Sequence, residues 1–253
     1  MGLFDKKYCD ICGDKIGLLG NRKLADGNMC KKCAAKLSPW FSDRRQSSLA
    51  EIKEQLAYRE ENRNAVAAFR TTRSLGTETR VLLDEDARKF MVTRGGKLAE
   101  ENPDVLDFSQ VTGCDVEIEE DRDEVLRETA DGKSESYNPP RYTYSYDFYI
   151  TIRVNHPYFD TIRFQLNSTS VQANGGQPVY GTMTLDPSLD AKYREYDQMA
   201  REIKEVLTGA RQQVRDEAAQ AAKPKTAVIC PCCGATTIPD ANGRCEYCGG
   251  AVN

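Results

Sequence analysis

The residues in this chain best suited to chemistry are its ten cysteines. Four fall in residues 9–33, as Cys9-Asp10-Ile11-Cys12 and Cys30-Lys31-Lys32-Cys33. Five fall in residues 230–248, as Cys230-Pro231-Cys232-Cys233 and Cys245-Glu246-Tyr247-Cys248, and Cys114 stands alone between. Two thiolates three positions apart can both face one ion across a tight turn, and zinc takes four such ligands in a closed tetrahedron when its role is structural. Gly13, Gly234 and Gly249 follow three of the four pairs and supply the open backbone conformation such a turn needs. The spacing therefore predicts two structural Zn2+ ions. Cys9, Cys12, Cys30 and Cys33 hold one; Cys230, Cys233, Cys245 and Cys248 hold the other, with Cys232 as the spare. Redox pairs or stray cysteines would not recur as two spaced pairs at each end of the chain.

Other chemistry finds little support. One histidine, His156, in 253 residues leaves no obvious acid–base or nucleophile–base pair. It sits between Asn155 and Pro157 and reads as a turn residue. There is no phosphate-cradling glycine loop, and a closed four-thiolate site has no open position at which to activate water. The chain is expected not to be an enzyme. The run Asp115, Glu117, Glu119, Glu120, Asp121, Asp123 and Glu124 lacks the central glycine of a calcium loop and reads as a solvated edge strand. Cys114 reads as a small buried hydrophobe.

The elements that must position the cysteines follow from patterning. Hydrophobic residues make up 40 %, charged residues 29 %, and mean hydropathy is −0.62. No apolar run approaches the roughly 20 residues of a membrane span. The start Met-Gly-Leu-Phe-Asp-Lys-Lys has neither an apolar signal core nor a myristoylation pattern, so a reducing, cytoplasmic location is expected. Charge is uneven: residues 1–48 carry 10 Lys and Arg against 5 Asp and Glu, whereas residues 76–190 carry 11 against 22. Such asymmetry marks separate modules. The divisions are 1–46, a zinc module; 47–75, a helical linker; 76–222, a β-rich domain with a closing helix; and 223–253, a zinc ribbon.

In the head, Gly20-Asn21 is expected to turn a hairpin, a helix is expected to start after Cys33 and stop near Pro39, and Trp40-Phe41 is expected to cover the metal core or anchor a partner. Knuckle, hairpin and helix together make a treble-clef-like arrangement. Ser48 and Glu51 form a capping box before a helix, and its polar stretch Tyr58–Asn64 reads as a solvent-crossing connector. The head also resembles a known family. Cys-Asp-Ile-Cys-Gly, Leu-Gly-Asn-Arg-Lys-Leu-Ala-Asp-Gly, Cys-Lys-Lys-Cys, Leu-Ser-Pro and Phe-Ser-Asp-Arg-Arg, within residues 8–60, are similar to the bacterial module called domain of unknown function 4428. The resemblance implies a zinc site at Cys9, Cys12, Cys30 and Cys33, and it implies no activity.

The middle reads as antiparallel β structure. Arg80–Leu83 and Lys89–Thr93 flank an acidic turn, and Val105–Phe108 and Val111–Glu119 follow. From Tyr142 to Asn155, apolar and polar residues alternate strictly, and Phe159–Asn167 continues the pattern. Residues 121–141 and 168–181 read as long polar loops. A helix from about Leu189 to Ala221 carries Tyr193, Tyr196, Ala200, Ile203, Leu207, Ala210 and Val214 on one stripe. The expected class is α+β: a central antiparallel barrel or sandwich, pleckstrin-homology-like, with a long C-terminal helix. Its acidic first turn argues against binding phosphoinositides. Lys223-Pro224-Lys225 is read as a linker and Pro239–Gly243 as the turn between the last two cysteine pairs.

The resulting expectation is a zinc-braced adaptor or scaffold that binds a protein partner. The long helix offers a surface for a second copy. A nucleic-acid binder is the alternative, resting on Lys31, Lys32, Lys36, Arg44 and Arg45; a solvated basic face explains them more simply. A zinc or redox sensor centred on Cys232-Cys233 is the third reading.

Overall fold

A computed structural model describes residues 7–183, 185–221, 227–240 and 243–252. The expected linker Lys223-Pro224-Lys225, the start Met1-Gly2, and Ala241-Asn242 of the expected last turn lie outside these. The chain divides into two compact units, residues 1–211 and 212–253.

The first unit opens with the strands β1 (Asn21–Lys23) and β2 (Asn28–Cys30), an antiparallel pair in which Asn21 faces Cys30. The hairpin turn is therefore not Gly20-Asn21. It is Leu24–Gly27, closed by the Leu24 N–H donating to the Gly27 carbonyl at 2.9 Å. Asp26-Gly27 is the sequence signal for such a turn. Helix α1 (Lys31–Ala34) starts earlier than expected, with Cys30 as its N-cap and Cys33 inside it.

Helix α2 (Leu49–Ala68) begins at the expected capping box: Ser48 Oγ accepts from the Glu51 N–H, and the Glu51 carboxylate accepts from the Ser48 N–H at 2.7 Å. Its polar stretch is not a solvated connector. Gln55, Arg59 and Asn62 are buried together with Ile52 and Val66. Arg59 Nη1 meets Asp104 Oδ1 at 2.6 Å and its Nη2 donates to the Asn102 carbonyl. Asn62 bonds Asn102 and the Pro103 carbonyl. Asp104 also accepts from the Tyr58 and Ser38 hydroxyls. A buried guanidinium is tolerated here because its carboxylate is buried with it and hydrogen-bonded from several sides.

Two open antiparallel sheets follow, with the short helix α3 (Leu98–Glu101) inside the first. That sheet is a meander, β3 (Arg73–Gly76), β4 (Arg80–Asp84), β5 (Lys89–Thr93) and β6 (Leu106–Asp107). Leu82, Leu83, Phe90, Met91 and Val92 are all buried, so β4 and β5 are covered on both faces. The second sheet centres on the 21-residue strand β8 (Ser134–Val154). Strand β7 (Val111–Glu128) pairs along one edge; β9 (Thr161–Gln165), β10 (Val171–Gln172) and β11 (Val179–Tyr180) share the other. Asn167 bridges the gap after β9 by accepting from the Phe148 N–H at 2.8 Å and donating to the Tyr146 carbonyl.

Three expectations change. Among the described residues the sheets are open, so no barrel closes. Residues 121–141 are not a polar loop but the outer half of the β7–β8 hairpin, and residues 168–181 hold β10 and β11. The hairpin holds without an apolar face because Arg122 stacks on the Tyr142 ring at 3.6 Å and Arg127 pairs with Glu135 at 3.0 Å.

The alternation expected from Tyr142 to Asn155 marks the core face only from Tyr146 to Val154, with Tyr142 and Tyr144 half-buried, and α4 (Ala191–Ala221) lies against it. Tyr193 packs edge-on against Tyr146 and Phe148 at 5.0 and 5.1 Å, and Ala200, Ile203 and Leu207 are buried. Leu189 precedes the helix and is exposed. From Gln212 the helix belongs to the second unit, which continues with the paired strands β12 (Val228–Ile229) and β13 (Thr236–Thr237). No helix among the described residues is long and apolar enough to cross a membrane.

Candidate metal centres

Each zinc prediction converges on one cluster. The sulfurs of Cys9, Cys12, Cys30 and Cys33 all lie within 4.8 Å of one another, as do those of Cys230, Cys233, Cys245 and Cys248. A tetrahedron with Zn–S bonds of about 2.3 Å has sulfur–sulfur edges of about 3.8 Å. The observed edges are 3.8 Å for Cys12–Cys30, 3.6 Å for Cys230–Cys248 and 3.8 Å for Cys233–Cys245. A disulfide would need about 2.05 Å. The donor set and spacing fit zinc, one ion to each cluster.

Three of the four cysteine pairs share one backbone device. The Cys9 N–H donates to the Asp14 carbonyl and the Gly13 N–H to the Cys9 carbonyl. The same two bonds link Cys230, Gly234 and Ala235, and again Cys245, Gly249 and Gly250. The glycines hold φ of +76°, +71° and +69°, a region a side chain at that position would strain. The turn brings backbone N–H groups onto sulfur: the Cys232 N–H lies 3.4 Å from Cys230 Sγ. The remaining pair, Cys30 and Cys33, uses a helix start instead, with the Cys33 N–H donating to Cys30 Sγ at 3.4 Å. The Cys30 N–H reaches Cys9 Sγ at 3.2 Å, tying the knuckle to the hairpin.

These contacts order the thiols. Burial pushes the Cys9 thiol up, but N–H groups of Cys12, Cys30 and Ile11 outweigh it and bring it down to about 7. Cys230 is treated likewise, burial being outweighed by N–H groups of Cys233 and Cys232, and falls to about 6. Burial and neighbouring sulfurs raise Cys33. Cys248 is pushed up to about 12: the Gly250 backbone works to lower it, and the sulfurs of Cys233 and Cys230 prevail. Four thiols in one site cannot all ionise alone; a divalent cation supplies the charge that lets them.

Around the first cluster, Ile16, Leu24, Met29, Leu37 and Ile52 complete a small core, with Phe41 packed against it. Around the second, the buried hydrophobic residues among those described are Cys230, Cys245 and Val252, with Val228 beside them and Thr237 buried as well. The other singled-out residues fall elsewhere. Cys232 is exposed and outside the four-sulfur set. Cys114 is buried on β7, and burial pushes its thiol up to about 11. His156 lies among the rings of Tyr58, Tyr158 and Phe159 and accepts at Nδ1 from the Tyr158 N–H. The carboxylate run is a matched edge strand: Glu117 and Glu119 both meet Arg163 at 3.0 Å, and Asp115 meets Arg153.

The family model described as Domain of unknown function (DUF4428) matches residues 7–55, which span the first cluster and the start of α2. No curated protein and no solved structure gives a significant match to the chain. The two clusters point to a zinc-binding protein.

Proposed function

We propose that this protein is a non-enzymatic adaptor in a reducing compartment, whose zinc-braced modules hold recognition loops rigid for a protein partner. The N-terminal module, with its knuckle, hairpin and Cys33-bearing helix, resembles a treble clef, and the C-terminal one resembles a zinc ribbon. The observation that carries the reading is the pair Leu18-Leu19. These side chains are 90 % and 88 % exposed, side by side in a loop whose base is clamped by the first cluster. Paired exposed leucines on a scaffold braced by metal are what a partner anchor requires. Ile229 and Tyr247 are similarly exposed on the ribbon. With all four sulfurs of a cluster engaged, zinc would act as a structural crosslink.

The test is affinity purification of the tagged full-length chain from its native cells at moderate salt, alongside Leu18→Ser/Leu19→Ser. A stoichiometric protein retained by the wild type and lost by the variant supports the adaptor. Nuclease-sensitive nucleic acid whose capture falls steeply with salt would replace it with the nucleic-acid reading. That alternative draws on Lys31, Lys32 and Lys36, which are exposed, whereas Arg44 is engaged with the Lys23 carbonyl at 2.6 Å.

A further inference from the structure

A cleft of about 1060 Å³ opens within the first unit, between the segment after α1 and the β8–β9 connection. Trp40 and Phe41 line one side; His156, Tyr158 and Phe159 line the other. Asp43, Glu51, Glu54 and Asp160 also line it, and among the described residues no lysine or arginine does. None of these four carboxylates meets a cation in an ion pair among the described residues. Glu51 caps α2, Asp43 accepts from Ser42 and Asp160 from Thr161, all contacts that leave the negative charge in place. Burial holds the His156 imidazole below its ordinary range, so at neutral pH it adds no positive charge. The cleft thus joins aromatic faces to uncompensated negative charge. Its volume matches the upper end of ligand pockets and exceeds the needs of a single ion.

We propose that this cleft binds a basic peptide segment, an arginine or lysine head group lying against Trp40 and drawn by Glu54 and Asp160. Cations are attracted to aromatic faces, and guanidinium groups also stack on them and pair with carboxylates. The inference rests on the adaptor reading only in taking the ligand to be part of a protein. It names the charge that the partner segment must carry.

Trp40 is the sole tryptophan, so its emission reports on the cleft alone. Zinc-loaded full-length protein is titrated at low salt with penta-arginine amide, penta-glutamate and spermine. Penta-arginine is expected to change Trp40 emission saturably, and added salt to weaken the effect. Glu54→Gln/Asp160→Asn, two exposed positions, is expected to lower its affinity about tenfold with an unchanged thermal transition. Asp121→Asn/Asp123→Asn, which removes the same charge from β7, is expected to leave the affinity as it was. Equal binding by the two double variants, a matching response to penta-glutamate or spermine, or no saturable change overturns the proposal. Leu18 and Leu19 lie outside the cleft lining, so the co-purification test fails or succeeds independently of this one.

Discussion

At the scale of single residues, spacing made the metal ligands legible and could not reveal what surrounds them. A C-x2-C pair followed by glycine specifies its own turn, since the glycine's positive φ and two short-range hydrogen bonds close it locally. The spare in Cys230-Pro231-Cys232-Cys233 is also a local matter. Cys232→Ser is expected to retain two zinc ions per chain by metal analysis, and Cys233→Ser to retain one; loss of an ion in Cys232→Ser would refute the ligand set. Gln55 was not legible at all. It lies on α2, is 0 % exposed, and neither its amide nitrogen nor its amide oxygen has a hydrogen-bond partner among the described residues. A buried unpaired amide costs about 1–3 kcal/mol, and an apolar side chain of similar shape avoids that. Gln55→Met is therefore expected to stabilise the first unit by about 1 kcal/mol in urea denaturation; a clear destabilisation would mean that the amide has a partner.

At the scale of elements, apolar stripes and caps make the helices legible in the sequence, whereas the roles of polar segments are not. The stretch Tyr58–Asn64 looks solvated because Arg59 and Asn62 are polar, yet both are buried against residues some 40 positions later in the chain. No local pattern records that Asp104 will meet Arg59. The same holds for the outer β7–β8 hairpin, where arginine–aromatic stacking and ion pairs replace the alternation that flags a strand. The α2 prediction follows: Arg59→Ala leaves Asp104 buried and short of its cation, which costs about 3–5 kcal/mol. Removing both charges with Arg59→Met/Asp104→Leu is expected to recover most of that loss in the same denaturation assay. Equal damage from the single and double variants would assign Arg59 a packing role instead.

At the scale of the whole molecule, a bead-like reading of three independent modules meets the path of α2. Ile52 belongs to the core around the first cysteine cluster, and Arg59, two turns on, is tied to Asp104 just before β6. One helix thus serves both the metal core and the β region, so stripping the first site loosens the base of the second. Cys30→Ser is expected to lower the main thermal transition of the chain, whereas Cys245→Ser, in the separate unit 212–253, is expected to leave it unchanged. If Cys30→Ser spares the main transition, α2 does not couple the two. The zinc-ligating cysteine pairs, the capping box, the alternating core strand and the long helix stripe were legible in the sequence alone, because each pair, cap or stripe is a local pattern, and the two pairs of each cluster announce each other by repeating the same C-x2-C spacing. The open sheets, the buried Arg59–Asp104 network and the cleft beside Trp40 were decided only by tertiary structure. They join residues tens of positions apart, and burial, which gives a polar side chain its role, is a property of the assembled fold.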